Sequence, residues 1–337
     1  MCKVDNSEKV ILSYKDNMEK KELDELRKTL GTLPALQPTR KDEWFDSCEA
    51  IRVKMIDGPK NYAKPLYAIA TATWGDRSRW FDRWENATPE ARLFVVQKVL
   101  ERKTLPSAAE SVNFSFNVDG VSRSAYDQIR THRFLAFGSV GQRDNSWVDS
   151  AFIVPHQIYS NKSQLLKFKE LTTKIKDFYQ ELVEQGQTSW QNARFILPMS
   201  IMHRFSVTGN FRAFQDVMSL RLASSEQFDS VGFAWATWLE FWKEYPLLAC
   251  YLRSKCQWAG KCVCNSNIEF GALFKGCWLS KEEDNKNAQF NESAADIDLI
   301  SKQLNFKKYV GCEIRDIDLY ELTEIAKVRD AKYFKEK

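Results

Sequence analysis

From Ser111 to Asp119 the chain alternates without a break, with Val112, Phe114, Phe116 and Val118 on one side and Ser, Asn and Asp on the other. A period of two sends successive side chains to opposite faces of a pleated ribbon, so this segment is a half-buried strand. Its apolar face requires a helix or a second sheet against it. Gly120 is expected to break the strand, and Ser122 to cap a helix running through Ala125, Gln128, Ile129 and His132. Gln128 and His132, four residues apart, then share a helix face. Gly138-Ser139-Val140-Gly141 beyond them reads as a small-residue loop.

Other segments supply the flanking layers. Ile51–Ile56 alternates as a strand, with Ile51, Val53 and Met55 on one face, closed by Asp57-Gly58-Pro59. Pro65–Thr73 reads as a helix. Thr88 caps another, with Pro89 at its first position and Leu93, Val96 and Leu100 along it. Asn161 or Ser163 opens a long helix ending at Gly186, in which Leu171, Ile175, Phe178 and Leu182 form one expected buried stripe. Met199–Thr208 reads as extended, and Asn210 caps the helix that follows. There Phe214, Val217, Met218 and Arg221 lie at i, i+3, i+4 and i+7, so Arg221 projects from the apolar face. An arginine in that position needs an anionic or polar partner, because an unpaired buried charge is costly. Phe228–Tyr245 carries Trp235, Trp238 and Trp242 at helical spacing, which is the pattern of a core helix.

This order implies an α/β (α+β) fold, a mixed sheet flanked by helices. With 44% hydrophobic and 13% aromatic residues, a central domain over 49–248 has ample core. Residues 1–48 read as an N-terminal extension, with a helix over Glu19–Leu30 and a linker over Thr32–Lys41. Residues 249–337 read as a cysteine-containing C-terminal extension.

A net charge of +4 is too mild for a nucleic-acid module, so no nucleic-acid partner is expected. The first 30 residues lack the apolar core of a signal peptide, and the longest apolar run, near Val231–Trp242, is short and contains Glu240. The expectation is a soluble, cytoplasmic chain with no membrane partner. Its eight cysteines then read as free thiols; only Cys262 and Cys264 are closely spaced, and no metal site is assigned.

An anionic small molecule suits the chain better. Arg130, His132, Arg133 and Arg143 surround the small-residue loop together with Gln128. Guanidinium forks pair with anionic oxygens, and glycine admits backbone N–H groups to a phosphate. A solvated basic helix end gives the same pattern, and these residues alone leave both readings open.

Taken together, FSFNVDGVSR, QIRTHRF and the GQR that follows resemble the flavin-dependent thymidylate synthases, the ThyX family. Residues 190–227, WQNARFILPMSIMHRFSVTGNFRAFQDVMSLRLASSEQ, resemble that family's second block, with its Ala-Arg, Leu-Pro, Asn-x-Arg and later arginine. Two ordered blocks at compatible spacing form a far more specific signal than either alone. The resemblance covers roughly residues 50–245 and implies a ThyX-like catalytic domain that forms a homotetramer. It implies transfer of a one-carbon unit from methylenetetrahydrofolate to C5 of dUMP, with FAD as cofactor and NADPH as reductant. Arg221 would be catalytic, and Gln128, Arg143, Arg194 and Arg221 would bind the pyrimidine nucleoside monophosphate. Ser107, His132, Arg133, Asn210 and Arg212 would contact FAD. In such a homotetramer Arg143 and Arg194 of one pocket come from different subunits.

The chain departs from the family pattern at identifiable positions. Thr131 stands where the signature has its first arginine, although Arg130 precedes it, and Gly141 stands where the signature loop has its serine. Asp144 replaces an aromatic, and Thr104-Leu105-Pro106-Ser107 replaces a histidine-containing turn. Two other functions are therefore carried alongside the first. One is a dUMP or dCMP methylase or hydroxymethylase of a nucleotide-modifying pathway; the other is a non-catalytic nucleotide- or flavin-binding protein.

Overall fold

A computed structural model describes residues 43–74, 81–143, 146–186, 188–260 and 295–336. The expected helix at Glu19–Leu30, the linker after it and the Cys262–Cys264 pair lie outside the described residues.

The alternating segment becomes β3 (Asn113–Ser122), an inner strand of a four-stranded antiparallel sheet. It pairs on one side with β2 (Arg52–Asp57) and on the other with β6 (Met202–Asn210), whose far edge carries β4 (Leu135–Ser139). A second, two-stranded parallel sheet joins β1 (Trp44–Asp46) to β5 (Phe152–Val154). The helices used below are α1 (Ala63–Ala72), α2 (Pro89–Leu100), α3 (Arg123–Ile129), α4 (Lys162–Glu184), α5 (Phe211–Arg221) and α6 (Phe228–Glu244). After them come α7 (Ile297–Gln303), α8 (Leu319–Arg329) and α9 (Ala331–Lys335). The architecture is mixed α/β, with helices flanking the sheets.

The apolar face of β3 meets α5 and α6. Phe114 and Phe116 are fully buried, with ring centroids 4.8 and 5.3 Å from Phe241 of α6. Each such phenyl ring removed from water stabilises the fold by about 1.5–3 kcal/mol. The tryptophans at 235, 238 and 242 are buried, as their spacing predicts. Residues after the central domain join the same core through Ile297, Phe306, Ile314, Leu322 and Phe334. Side-chain caps form at Thr88, Ser122, Asn161 and Asn210, each accepting a backbone N–H of the first turn.

Four expectations fail locally. Gly120 does not end β3: it sits at φ +86° in a register shift between Asp119 and Val121, and pairing with β6 resumes beyond it. A Cβ there would lie 1.9 Å from the carbonyl oxygen of Ala50, so both the conformation and the close approach require glycine. Helix α3 stops at Ile129, leaving His132 outside it. In a continuing helix the Gln128 carbonyl would accept the His132 N–H; here it accepts Thr131 Oγ1 at 2.7 Å and Arg221 Nη2 at 3.2 Å. The expected loop at Gly138–Gly141 is partly strand, because Leu135 and Phe137 pair with Gly209 and Val207 and bring Gly138-Ser139 into β4. Finally, the stripe on α4 is buried only in part: Leu171 is 60% and Phe178 48% exposed, whereas Leu182 packs against the cluster of Trp147 and Tyr179. Helix α4 is also docked by Trp44 Nε1 donating to Thr172 Oγ1 and the Trp147 N–H donating to Tyr179 Oη.

Candidate functional site

The expected site residues gather most densely along α5. Its capping residue, Asn210, accepts the Ala213 N–H at 2.8 Å, so its side-chain oxygen is engaged in holding the helix. One turn in, Arg212 reaches Asp216 at 3.6 Å, and Arg102 reaches the same carboxylate at 3.0 Å from the loop after α2. Arg102 was not anticipated. It adopts φ +60°, a left-handed conformation that non-glycine residues seldom take and that clusters at functional sites. Burial and the neighbouring Arg212 hold the Arg102 guanidinium below its ordinary pKa. Two cations share one carboxylate, which leaves one positive charge in excess.

At the other end of α5, Arg221 meets the partner that its place on an apolar face demanded. Its Nη1 pairs with Glu226, and its Nη2 donates to the Gln128 carbonyl. His132 lies between the two ends. Burial and the charge of Arg221 push its pKa down, while Asp216 pushes it up, so the imidazole feels both clusters. Its pKa is thereby lowered from the ordinary 6.5. The side-chain amide of Gln128 contacts Gln227 at 3.4 Å.

Four buried nitrogens along this strip have no hydrogen-bond partner among the described residues: Arg102 Nε, His132 Nε2, Arg212 Nη1 and Arg221 Nε. Buried donors are almost always paired, and each left unpaired costs on the order of 1–3 kcal/mol. An anionic or oxygen-rich ligand would satisfy them, so the donor set fits a phosphorylated cofactor or nucleotide. Ser107, in the 3₁₀ turn Pro106–Ser111, is exposed, as is Arg133.

The remaining expected residues stand elsewhere. Arg143 is exposed in the loop after β4, and Arg194 is half-buried in the turn Arg194–Ile196. Arg221 itself contacts Glu226 and Gln128.

A sequence model of the thymidylate synthase complementing protein family matches residues 55–247, more than half of the chain. The chain belongs to that family. Relatives within it include the flavin-dependent thymidylate synthase of Thermococcus kodakarensis, 28% identical over 249 residues, 68% of this chain and 93% of that one. Another is the flavin-dependent thymidylate synthase of Thermococcus onnurineus, 27% identical over 251 residues, 70% of this chain and 96% of the relative. Among solved structures, a UMP/dUMP methylase, PolB, from Streptomyces cacaoi bound with 5-Br dUMP shares the fold. Its TM-score is 0.53 at 17% identity, covering 62% of this chain and 96% of that one. The family match spans β3, α5 and α6 and every expected site residue. No helix among the described residues is long and apolar enough to cross a membrane.

Three members of the strip were outside the expected set: Arg102, Asp216 as the carboxylate shared by two arginines, and Glu226. The sequence does show Asp216 four residues after Arg212, but Arg102 lies 114 residues before it, and no local pattern links them.

Proposed function

We propose that this chain is a flavin-dependent, methyl-transferring enzyme that moves a one-carbon unit from methylenetetrahydrofolate to C5 of dUMP. The observation that carries the reading is the set of unpartnered buried donors along α5, in a chain of this family. FAD would be held by Arg212, His132, Arg133, Asn210 and Ser107, and Arg102 joins them because the excess positive charge around Asp216 suits a phosphate. When bound, the flavin supplies the hydride, after reduction by NADPH.

The chain's own residues would bind and polarise the pyrimidine. Arg221 stabilises the negative charge that develops on the ring as C5 becomes nucleophilic, while Glu226 fixes the plane of its guanidinium. His132, its charged form disfavoured by burial, offers Nε2 as a hydrogen-bonding atom. Gln128, Arg143 and Arg194 would hold the nucleotide. Arg143 and Arg194 would meet across subunits of a homotetramer, which the bare apolar surface of Leu171 and Phe178 on α4 and of the 83% exposed Phe195 supports.

The test is a product assay with FAD, NADPH, methylenetetrahydrofolate and dUMP, read by mass spectrometry alongside flavin absorbance. Thymidylate formation is the expected result. Product from dCMP alone, or a hydroxymethylated product, would reassign the acceptor or the group transferred; no product together with no flavin absorbance would overturn the reading.

A further inference from the structure

Away from α5, three side chains with metal-ligating atoms meet at the two-stranded sheet. We propose that Asp46, Cys48 and His156 form a binding site for a divalent transition-metal ion, with zinc the best fit. One oxygen, one sulfur and one nitrogen ligand atom from these residues all lie within 4.8 Å of one another. Metal–ligand bonds of about 2.0–2.3 Å in a tetrahedral site need ligand atoms roughly 3.3–3.8 Å apart, so small side-chain rotations close the shell. The mixed donor set suits a borderline-soft ion such as zinc and argues against magnesium or calcium, which prefer oxygen alone.

The backbone holds the three residues in place before any ion arrives. Parallel pairing sets Asp46 opposite Val154, and His156 follows two residues later. The Ser47 N–H donates to the Val154 carbonyl at 2.8 Å, and the His156 N–H donates to Ser47 Oγ at 3.1 Å. Cys48 lies in a turn whose Glu49 and Ala50 N–H groups donate to the Asp46 carbonyl, while its own N–H donates to Asp46 Oδ1 at 3.0 Å. Asp46 and Cys48 are 5% and 4% exposed, whereas the His156 side chain is 30% exposed, which leaves a solvent path to a fourth position.

Two plainer roles explain less. A nucleophilic cysteine needs an accessible thiolate, but Cys48 is 4% exposed. A simple Asp46–His156 pair, with Nδ1 and Oδ2 at 2.7 Å, gives the adjacent sulfur no task. The buried Asp46 carboxylate beside the sulfur favours a cation. Binding releases the thiol proton, and the imidazole ligates through a ring nitrogen that carries none.

The experiment uses the full-length chain, stripped with a chelator and titrated with cobalt(II), a spectroscopic stand-in for zinc. One equivalent should produce a thiolate-to-cobalt charge-transfer band and the intense visible bands of tetrahedral cobalt, both bleached by zinc. Cys48→Ser and His156→Ala should lose these bands, whereas the double variant Cys262→Ser/Cys264→Ser should keep them. Zinc should also raise the melting temperature of the unsubstituted chain and not that of His156→Ala, whose partly exposed side chain makes it the safer variant should Cys48→Ser fail to fold. Absence of the bands in the unsubstituted chain, or their survival in His156→Ala, would overturn the site. Their loss in the Cys262/Cys264 variant would move the metal there and overturn it equally.

Discussion

Arg92 and the arginines of α5 use the same side chain in opposite ways. Arg92 is 3% exposed, yet its guanidinium donates to the carbonyls of Trp84, Phe334 and Glu336 and lies 4.3 Å over the Trp84 ring. Around it the C-terminal helices α8 and α9 are tied down by Asp330, which accepts the Tyr62 hydroxyl at 2.7 Å and the Leu247 N–H at 3.0 Å. Arg102, Arg212 and Arg221, by contrast, each keep one buried nitrogen without a partner among the described residues. A buried arginine whose donors end on backbone carbonyls is a structural rivet, whereas one left partly unsatisfied is, on the proposed reading, available to a ligand.

The contrast predicts separate consequences. Arg221→Ala should lower turnover by about 10²–10³-fold, the usual loss when one donor to a developing negative charge is removed, with flavin still bound. Steady-state rates and the flavin spectrum check it; unchanged turnover would place Arg221 with the rivets. Arg92→Ala should do the reverse, costing about 2–4 kcal/mol of stability by denaturant unfolding because it strands buried carbonyls, while flavin affinity is kept.

A third prediction separates the rivet region by pH. Burial raises the Asp330 carboxyl from 3.8 to about 6, so the folded state holds its proton more tightly than the unfolded chain. Its contribution is fully present below pH 3.8 and is lost as pH rises through about 6. His203, fully buried with its ring 5.5 Å from Trp147 and 4.2 Å from Tyr126, is shifted the other way, from 6.5 down to about 4, chiefly by burial. Its neutral form favours folding above pH 6.5, and that advantage is lost as pH falls toward about 4. Each shift amounts to roughly 3 kcal/mol at most, and the two oppose across one window. Melting curves between these pH values should be nearly flat for the unsubstituted chain, steeply acid-sensitive for Asp330→Asn, and more stable in acid for His203→Phe. Parallel curves for all three would remove both groups from the account.

The smallest effect is expected at the shared carboxylate. Asp216→Asn leaves Arg102 and Arg212 unneutralised and should tighten an anionic ligand by a few-fold, since a partly exposed pair is worth about 0–1 kcal/mol. Weaker binding in isothermal titration would show that Asp216 positions the arginines more than it competes with the ligand.

Much of the frame was legible in the residues. Strict alternation gave β3, capping side chains marked the starts of α2, α3, α4 and α5, and indole spacing marked α6 as core. What escaped was non-local. The end of α3 depends on Arg221 and Thr131 capturing one carbonyl, and β4 depends on pairing with β6 that overrides the turn-like Gly138-Ser139. The stripe of α4 is apolar, but periodicity cannot tell which face the rest of the chain covers, and Leu171 and Phe178 are exposed. Arg102 reaches the strip through a left-handed turn and a partner distant in sequence.

Flavin titration of the unsubstituted chain and of Arg212→Ala, followed by absorbance, tests most directly whether the strip on α5 is a ligand site. The unsubstituted chain should saturate with FAD, and Arg212→Ala should bind it at least about tenfold more weakly, as expected for loss of one charge-assisted contact of roughly 1.5–3 kcal/mol. Equal affinities in the two proteins, or no binding by either, would contradict it.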